Sequence, residues 1–492
     1  MSPALILIVF ATYTLLLFLL AYVTGRNADN DSFFIGNRKS PWFVVAYGMI
    51  GASLSGVTFI SIPGWVGTTH FTYFVIVLGY FVGYIVISWI LLPIYYKLQL
   101  TSIYSYLDNR FGTYSYHTGA VFFLISRIIG ASFRMFLVVS VLQLFVFNYF
   151  GIPFWATLLF FIVLIQLYTI KGGIKTIVWT DTLQTTFMLL SVGFTVWLIL
   201  SKMDTGLGDM INKVLDSQYS EVIVTDVKSS RNFIKLFLSG IFITITMTGL
   251  DQDMMQKNLS CKTLPAAKKN MVSLGFILIP VNMVFLFLGA VLYLFAAHQN
   301  IQIPAKSDYL FPEIALNHLG VAGGVIFIIG LISAAYSSAD SALTALTTSF
   351  SIDILRLDKK YRGKEKVLKR KRQTVHIMMS LIIFFVILLF KIVNDDAVIS
   401  ALFTLAGYTY CPLLGMYTFG LFTAWKTDDK MVPWVASVSP FLAYGVSKLL
   451  EFLFHGYKTG FELLLINGAV TFLGLILFRI NRKDKNHVEF QI

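Results

Sequence analysis

The chain has 492 residues, of which 57% are hydrophobic and 13% charged, and its formal net charge is +13. Soluble domains carry about 25% charged residues, so a soluble enzyme, a nucleic-acid-binding domain and a disordered scaffold are excluded. A bilayer is the solvent that suits this composition. Two widely spaced cysteines, Cys261 and Cys411, make neither a disulfide framework nor a metal knuckle.

In chain order, thirteen apolar runs are long enough to cross a membrane as helices: 3–24, 41–67, 72–98, 117–148, 153–171, 177–202, 234–256, 271–298, 319–352, 374–394, 397–422, 431–452 and 461–480. The first carries no preceding positive charge and no cleavage site, and is expected to be kept. The second, PWFVVAYGMIGASLSGVTFISIPGW, gathers Gly48, Gly51, Ser53, Ser55 and Gly56 at its middle, which predicts an unwound turn. Free carbonyls at membrane depth are tolerated only where they line a cavity or bind something. The seventh run combines Thr246, Thr248 and Gly249 with Asp251, Gln252 and Asp253, a second weak point. The ninth, LISAAYSSADSALTALTTSF, is dense in hydroxyls and contains Asp340.

The two weak helices are five spans apart. Broken helices in corresponding positions point to a transporter site between two halves, and an odd repeat length makes those halves inverted. Close helix packing is the plainer account of such small residues. The expected organisation is an N-terminal span and cytoplasmic linker (1–40), a first core half (41–202), an extracellular loop over the outer mouth (203–233), a second core half (234–422), and two C-terminal helices with a basic tail (423–492). With the N-terminus outside and the C-terminus inside, cytoplasmic segments hold 27 Lys and Arg against 9 outside, as the positive-inside rule requires. The dense basic run Arg356–Arg372 is read as a topology determinant, with contact to anionic lipid secondary.

Ionisable groups inside spans are costly and call for a partner or a function. Arg127 and Arg134 share one helix face and are expected to pair with acids or face a cavity. Asp253 and Asp353 fall near cytoplasmic ends, where water could reach them. Asp181 and Asp340 are the leading candidates for a cation site. Ser337 and Ser341 share a face beside them. Hydroxyls, carbonyls and one or two carboxylates suit a hard monovalent cation such as sodium. No phosphate-binding loop, hydrolase elbow or zinc motif is present. Neither an enzyme, an enzymatic cofactor nor a transition-metal site is expected.

Five stretches in order, DSFFIGNRKSPW, GASLSGVTFISIPG, GGIKTIVWTDTLQ, GLDQDMMQKNLSCK and SAAYSSADSALTALTTSFSIDIL, resemble the sodium:solute symporter family, over roughly 30–425. The resemblance implies an all-α polytopic membrane protein with a five-plus-five inverted-repeat core, one helix before it and two after. It places a sodium site on the carbonyls of Gly51, Leu54 and Ala334 and the hydroxyls of Ser337 and Ser338. Asp181 matches an acid that helps to bind a second sodium in some members. Asp340 stands where those members have a hydroxyl, so with Ser341 it could strengthen a second cation site or take a proton. The solute pocket is expected near Ser55, Thr58, Asp251, Gln252 and Thr409. Thr58 replaces a Gln of sugar-binding members, which weakens a glucose-type pocket. The expected function is sodium-coupled import of a small organic solute (a sugar, organic acid or amino acid) across the plasma or bacterial inner membrane. A proton-coupled symporter of the same fold and a transporter-like sensor are the alternatives. Nucleic acid is not an expected partner, and the sequence carries no signal for an oligomeric state.

Overall fold

The computed structural model describes residues 3–26, 29–393 and 398–483, almost entirely as helix. In chain order these are α1 (Pro3–Gly25), α2 (Asn30–Ile35), α3 (Trp42–Thr69), α4 (Tyr73–Val86), α5 (Leu92–Lys97), α6 (Ser105–Arg110), α7 (Thr113–Phe145), α8 (Phe154–Lys202), α9 (Leu207–Leu215), α10 (Phe233–Thr244), α11 (Gln252–Leu259), α12 (Leu264–His298), α13 (Leu310–Glu313), α14 (Gly320–Ser349), α15 (Leu357–Lys360), α16 (Glu365–Val393), α17 (Val398–Thr409), α18 (Cys411–Phe422), α19 (Val432–Leu453) and α20 (Leu463–Leu477). Two short strands, β1 (Trp425–Thr427) and β2 (Arg479–Lys483), pair antiparallel.

Among the described residues, seven helical stretches are long and apolar enough to cross a membrane, and α10 with α11 makes an eighth if that pair, bent by 66°, is one span. Helices dominate because lipid offers backbone groups no partners, so each segment must satisfy its own. The expected turn between the tenth and eleventh runs, at 395–396, lies outside the described residues, as does the tail from 484.

Three interruptions shape the bundle. Within α3, Ser55 adopts φ 59°, ψ 177°, a region that is essentially glycine's alone and costs another residue on the order of 1–3 kcal/mol. Between α10 and α11, a wide π turn at Ile245–Gly249 ends the first helix, and Asp251 caps the second. Within α8, Gly173 sits at φ 54°, ψ −145°. A Cβ there would stand 2.5 Å from the Phe33 Cα. The sequence reading places a loop at 172–176. The structure instead joins the two helices through this one residue, because only glycine both takes that conformation and lets α2 lie against it.

α8 packs on α14 and α3, with α1 and α7 beside them, while α12 joins α3 to α4 and α4 packs on α10. One end of the bundle is sealed by α2 and its neighbours. There Ser40 N–H donates to Ser260 O at 3.0 Å, Gln256 donates to Phe34 O, and Arg110 donates to Gly420 O at 3.0 Å and Thr423 O at 2.7 Å. At the opposite end the segment carrying α9 meets the α19–α20 connection, where Lys458 N–H donates to Lys228 O at 3.1 Å.

Candidate functional site

The break at Ser55 removes the next helical turn from the carbonyls just before it, leaving backbone acceptors of the kind found at any helix end. Gly51 and Leu54 lie in that last turn, and both are buried. α14 faces them. A Cβ on Gly51 would stand 3.4 Å from Ser337 Oγ and only 2.4 Å from Thr185 Oγ1, so the absence of a side chain lets the three helices close. The Gly51 N–H donates to Thr185 Oγ1 at 3.1 Å. Ala334, Ser337 and Ser338 are also buried. Ser338 donates to Ala334 O at 3.0 Å and Ser337 to Asp181 Oδ1 at 2.8 Å. Each hydroxyl spends its proton on a protein oxygen and keeps its lone pairs, so the set can act as hard oxygen ligands.

Asp181 is not a free acid. Lys257 Nζ lies 2.7 Å from its Oδ2, with both side chains 1% exposed. Counted from sequence among the cytoplasmic loop charges, Lys257 is in fact inside the bundle, because α11 runs on to Leu259 with every residue buried. Asp340 makes no ion pair among the described residues. It accepts from Tyr168 Oη at 2.8 Å and from the Ser341 N–H at 2.6 Å. The hydroxyl of Thr344 is buried without a hydrogen-bond partner among the described residues, and Ser341 is buried beside Asp340.

Next to the Ser55 break is a cavity of about 90 Å³, lined by Ser55 and Thr58 of α3, Tyr73, Tyr80 and Tyr84 of the α4 side, Arg127 and Arg134 of α7, and Phe403 of α17, among others. The two arginines differ. Arg127 pairs with Asp253 and lies 3.6 Å from Asp251 Oδ2. Arg134 has no carboxylate partner among the described residues, and its Nε makes no hydrogen bond.

Of the five residues expected to form the solute pocket, Ser55 and Thr58 line this cavity. Asp251 does not. It caps α11 by accepting from the Asp253 and Met254 N–H groups at 2.8 and 3.2 Å and takes the Tyr410 hydroxyl at 2.6 Å. Gln252 spends its amide on the backbone of residues 101 and 103, at 2.8 and 3.0 Å. Thr409 donates to Leu405 O at 2.8 Å and lines a smaller neighbouring hollow with Arg134. Asp253 is dry rather than wetted, because Arg127 claims it. Asp353 is likewise buried, taking hydroxyls from Tyr116 and Ser349 at 2.9 and 2.6 Å. Sequence reasoning missed Thr185, Tyr168, Tyr410 and the role of Lys257. Thr185 had a signal, since it falls four residues after Asp181 on one helix face.

A profile of the sodium:solute symporter family matches residues 33–428. The chain belongs to the sodium:solute symporter family. Among its relatives is the sodium/sialic acid symporter SiaT of Proteus mirabilis, 24% identical over 472 residues, covering 92% of this chain and 91% of that protein. Another is the sodium-coupled monocarboxylate transporter 1 of Mus musculus, 25% identical over 418 residues, covering 82% of this chain and 66% of that protein. The fold is that of a Na+-coupled sialic acid symporter solved in a substrate-bound outward-open state (TM-score 0.81, 18% identity, 96% of this chain and 97% of that chain). It is also similar to a nucleobase-cation-symport-1 family transporter in a closed conformation (TM-score 0.57, 14% identity, 89% and 92% covered). This family member is therefore an integral membrane transporter. A helical core with broken helices at a shared site is common to these folds.

Proposed function

We propose that the protein imports a small carboxylate-bearing solute together with sodium by alternating access, with the α9 face outside and the α2 face inside. The observation that carries the choice of solute is Arg134, a guanidinium on the cavity wall with no carboxylate partner among the described residues. A guanidinium held inside the bundle calls for an anion, and its planar fork matches a carboxylate in two-point contact. Relatives named for sialic acid and for monocarboxylates are consistent with that class. Sodium binds between α3 and α14 on Gly51, Leu54, Ala334, Ser337 and Ser338, and favours the outward-facing state. Solute then binds beside the Ser55 break with its carboxylate on Arg134. Coupling is differential binding of both to the two states.

The test is uptake of labelled pyruvate and of labelled sialic acid into proteoliposomes under a sodium gradient, against a potassium gradient of equal size. Sodium-dependent uptake of either that Arg134→Ala reduces at least tenfold is the expected result. Uptake confined to neutral solutes, or indifferent to Arg134, overturns the reading of the solute. Equal uptake under both gradients overturns the reading of the ion.

A second reading concerns the ion count. Asp340 is a buried carboxylate that makes no ion pair among the described residues, next to Ser341 and the unpartnered hydroxyl of Thr344. With Asp181 already neutralised by Lys257, Asp340 and Ser341 are the groups that would hold a second cation. Charge moved per solute should then fall by one in Asp340→Asn. An unchanged ratio removes the second site.

A further inference from the structure

A strongly basic surface lies where α14 passes into α16. The stretch Arg356–Arg372 holds ten Lys and Arg residues against two acids, Asp358 and Glu365. Of the ten, only Arg356 and Arg372 are drawn in, and the other eight are exposed. Leu355 and Val367 stand exposed among them. Setting membrane topology needs such charges but fixes no position for any one of them. The structure adds the position. Along α16, Ile377, Leu381, Phe385 and Leu389 are exposed at every fourth residue, as on a helix face turned to lipid. Thr374, Arg370 and Lys366, also exposed, continue that face. At about 1.5 Å per residue, Arg370 stands about 10 Å and Lys366 about 16 Å beyond Ile377. A headgroup layer is roughly 5–8 Å deep on each side of the hydrocarbon, and long basic side chains lay their stems along apolar surface. Both cations therefore reach phosphate level on the side that faces lipid.

The same turns of α16 are rooted in the bundle. Glu365 accepts from the Asn30 amide of α2. Arg372 donates to Asn30 Oδ1 at 3.0 Å, and its guanidinium lies 3.9 Å from the centre of the Phe33 ring. Asn30 and Phe33 belong to the helix that seals this end. One turn further along, His376 sits between Thr347 Oγ1 of α14 at 2.8 Å and Thr169 Oγ1 of α8 at 2.9 Å. α14 carries Ser337 and Ser338, and α8 carries Asp181. The first turns of α16 therefore cannot shift without pulling on the α2 seal and on the helices of the sodium site.

We infer that Lys366 and Arg370, with the exposed basic residues around them, dock the phosphate headgroups of anionic phospholipid in the leaflet at the α2 end, and that this contact favours the state in which α2 seals the bundle. With the α2 face inside, that leaflet is the cytoplasmic one. The partner is a lipid surface rather than a soluble anion, because the charges continue a lipid-facing stripe and are interspersed with the exposed side chains of Leu355 and Val367. In the proposed cycle sodium favours the outward-facing state, which is closed at this end. Two ligands that favour one state raise each other's affinity, so anionic lipid strengthens sodium binding. This coupling rests on the sodium reading, and the docking does not.

The experiment places purified full-length protein in nanodiscs of phosphatidylcholine, alone or with about one third phosphatidylglycerol. Both leaflets are then alike, so orientation does not matter. Native mass spectrometry counts the phosphatidylglycerol retained per protein, and tryptophan fluorescence gives the half-saturating sodium concentration. The forms compared are wild type, Lys366→Gln with Arg370→Gln, and a control, Lys262→Gln with Lys430→Gln, which removes equal charge from exposed positions on other segments of this end. Wild type should retain at least twice the phosphatidylglycerol of the first variant, and the control should match wild type. Phosphatidylglycerol should lower the half-saturating sodium of wild type at least threefold more than that of the first variant. Sodium gathered at any anionic surface shifts all forms alike, so the difference reads the docking. Washing in concentrated choline chloride should erase it by screening. Equal retention in all three forms, or equal loss in both variants, overturns the docking. Retention lost in the first variant with sodium values that still move alike overturns the link to the α2 seal. Inorganic phosphate that reproduces the sodium shift in pure phosphatidylcholine overturns the lipid reading in favour of a soluble anion. No sodium response in any lipid overturns the sodium reading, and retention alone then decides the docking. Should the first variant fail to fold, wild-type retention indifferent to choline chloride overturns it.

Discussion

Lys257 Nζ and Asp181 Oδ2 lie 2.7 Å apart with both side chains 1% exposed, so an ion pair ties α11, the second half of one broken helix, to α8. Removing one partner of such a pair strands a charge without water and costs about 3–5 kcal/mol, while removing both costs far less. Lys257→Met should therefore lower the thermal midpoint in detergent strongly, and Lys257→Met with Asp181→Asn should recover most of the loss. A double variant as unstable as the single one would contradict the pairing.

At Gly51, α3 packs tightly against both α8 and α14. A methyl there would meet Thr185 Oγ1 at 2.4 Å and Ser337 Oγ at 3.4 Å, and overpacking of this kind costs about 1–3 kcal/mol. Gly51→Ala should weaken sodium binding at least tenfold, read as the sodium concentration that half-saturates the rise in melting temperature. Wild type at sodium about 100 times its dissociation constant should gain about 2.7 kcal/mol. Potassium should give neither effect, and Ser337→Ala with Ser338→Ala should abolish the sodium response.

Ser55 holds a backbone conformation that glycine adopts without strain. Ser55→Gly should raise stability by about 1 kcal/mol, measured by thermal unfolding in detergent. A loss of stability would show that the Ser55 hydroxyl contributes more than its backbone costs.

Asp29, outside the spans, caps α2. Hydrogen bonds from the Ser32 hydroxyl and amide hold its carboxyl below the ordinary carboxylate value. A depressed carboxylate contributes stability that is complete above its unfolded value, about 3.9, and is lost as pH falls through the lower folded value. Amide exchange at Ser32 and Phe33, corrected for its intrinsic pH dependence, should stay protected to below pH 4 and then quicken. In Asp29→Ala the protection should be weaker and flat with pH.

The two breaks in α3 and between α10 and α11 were legible because glycine, serine and acid residues interrupt otherwise apolar runs. The hydroxyl-rich face of α14 stood out for the same reason. The hinge at Gly173 was not, since Lys171, Gly172, Lys175 and Thr176 around it read equally well as a loop. Nor was the partner of Asp181. Lys257 is far away in sequence, and no periodicity links two helices that meet only on folding. Gln252 shows a different limit. Its type suits a solute ligand, but type does not say which way the side chain turns, and backbone groups at 101 and 103 claimed it.

The sealed α2 end also has a thermal character. Lys257 with Asp181 puts two charges in dry contact there. Any movement that opens this end must hydrate them, and hydration of charged groups orders water at an entropic cost that grows with temperature. Warming therefore tightens this seal even as it loosens the apolar packing around it. A cold cell and a warm one would divide the same transporter differently between its two faces.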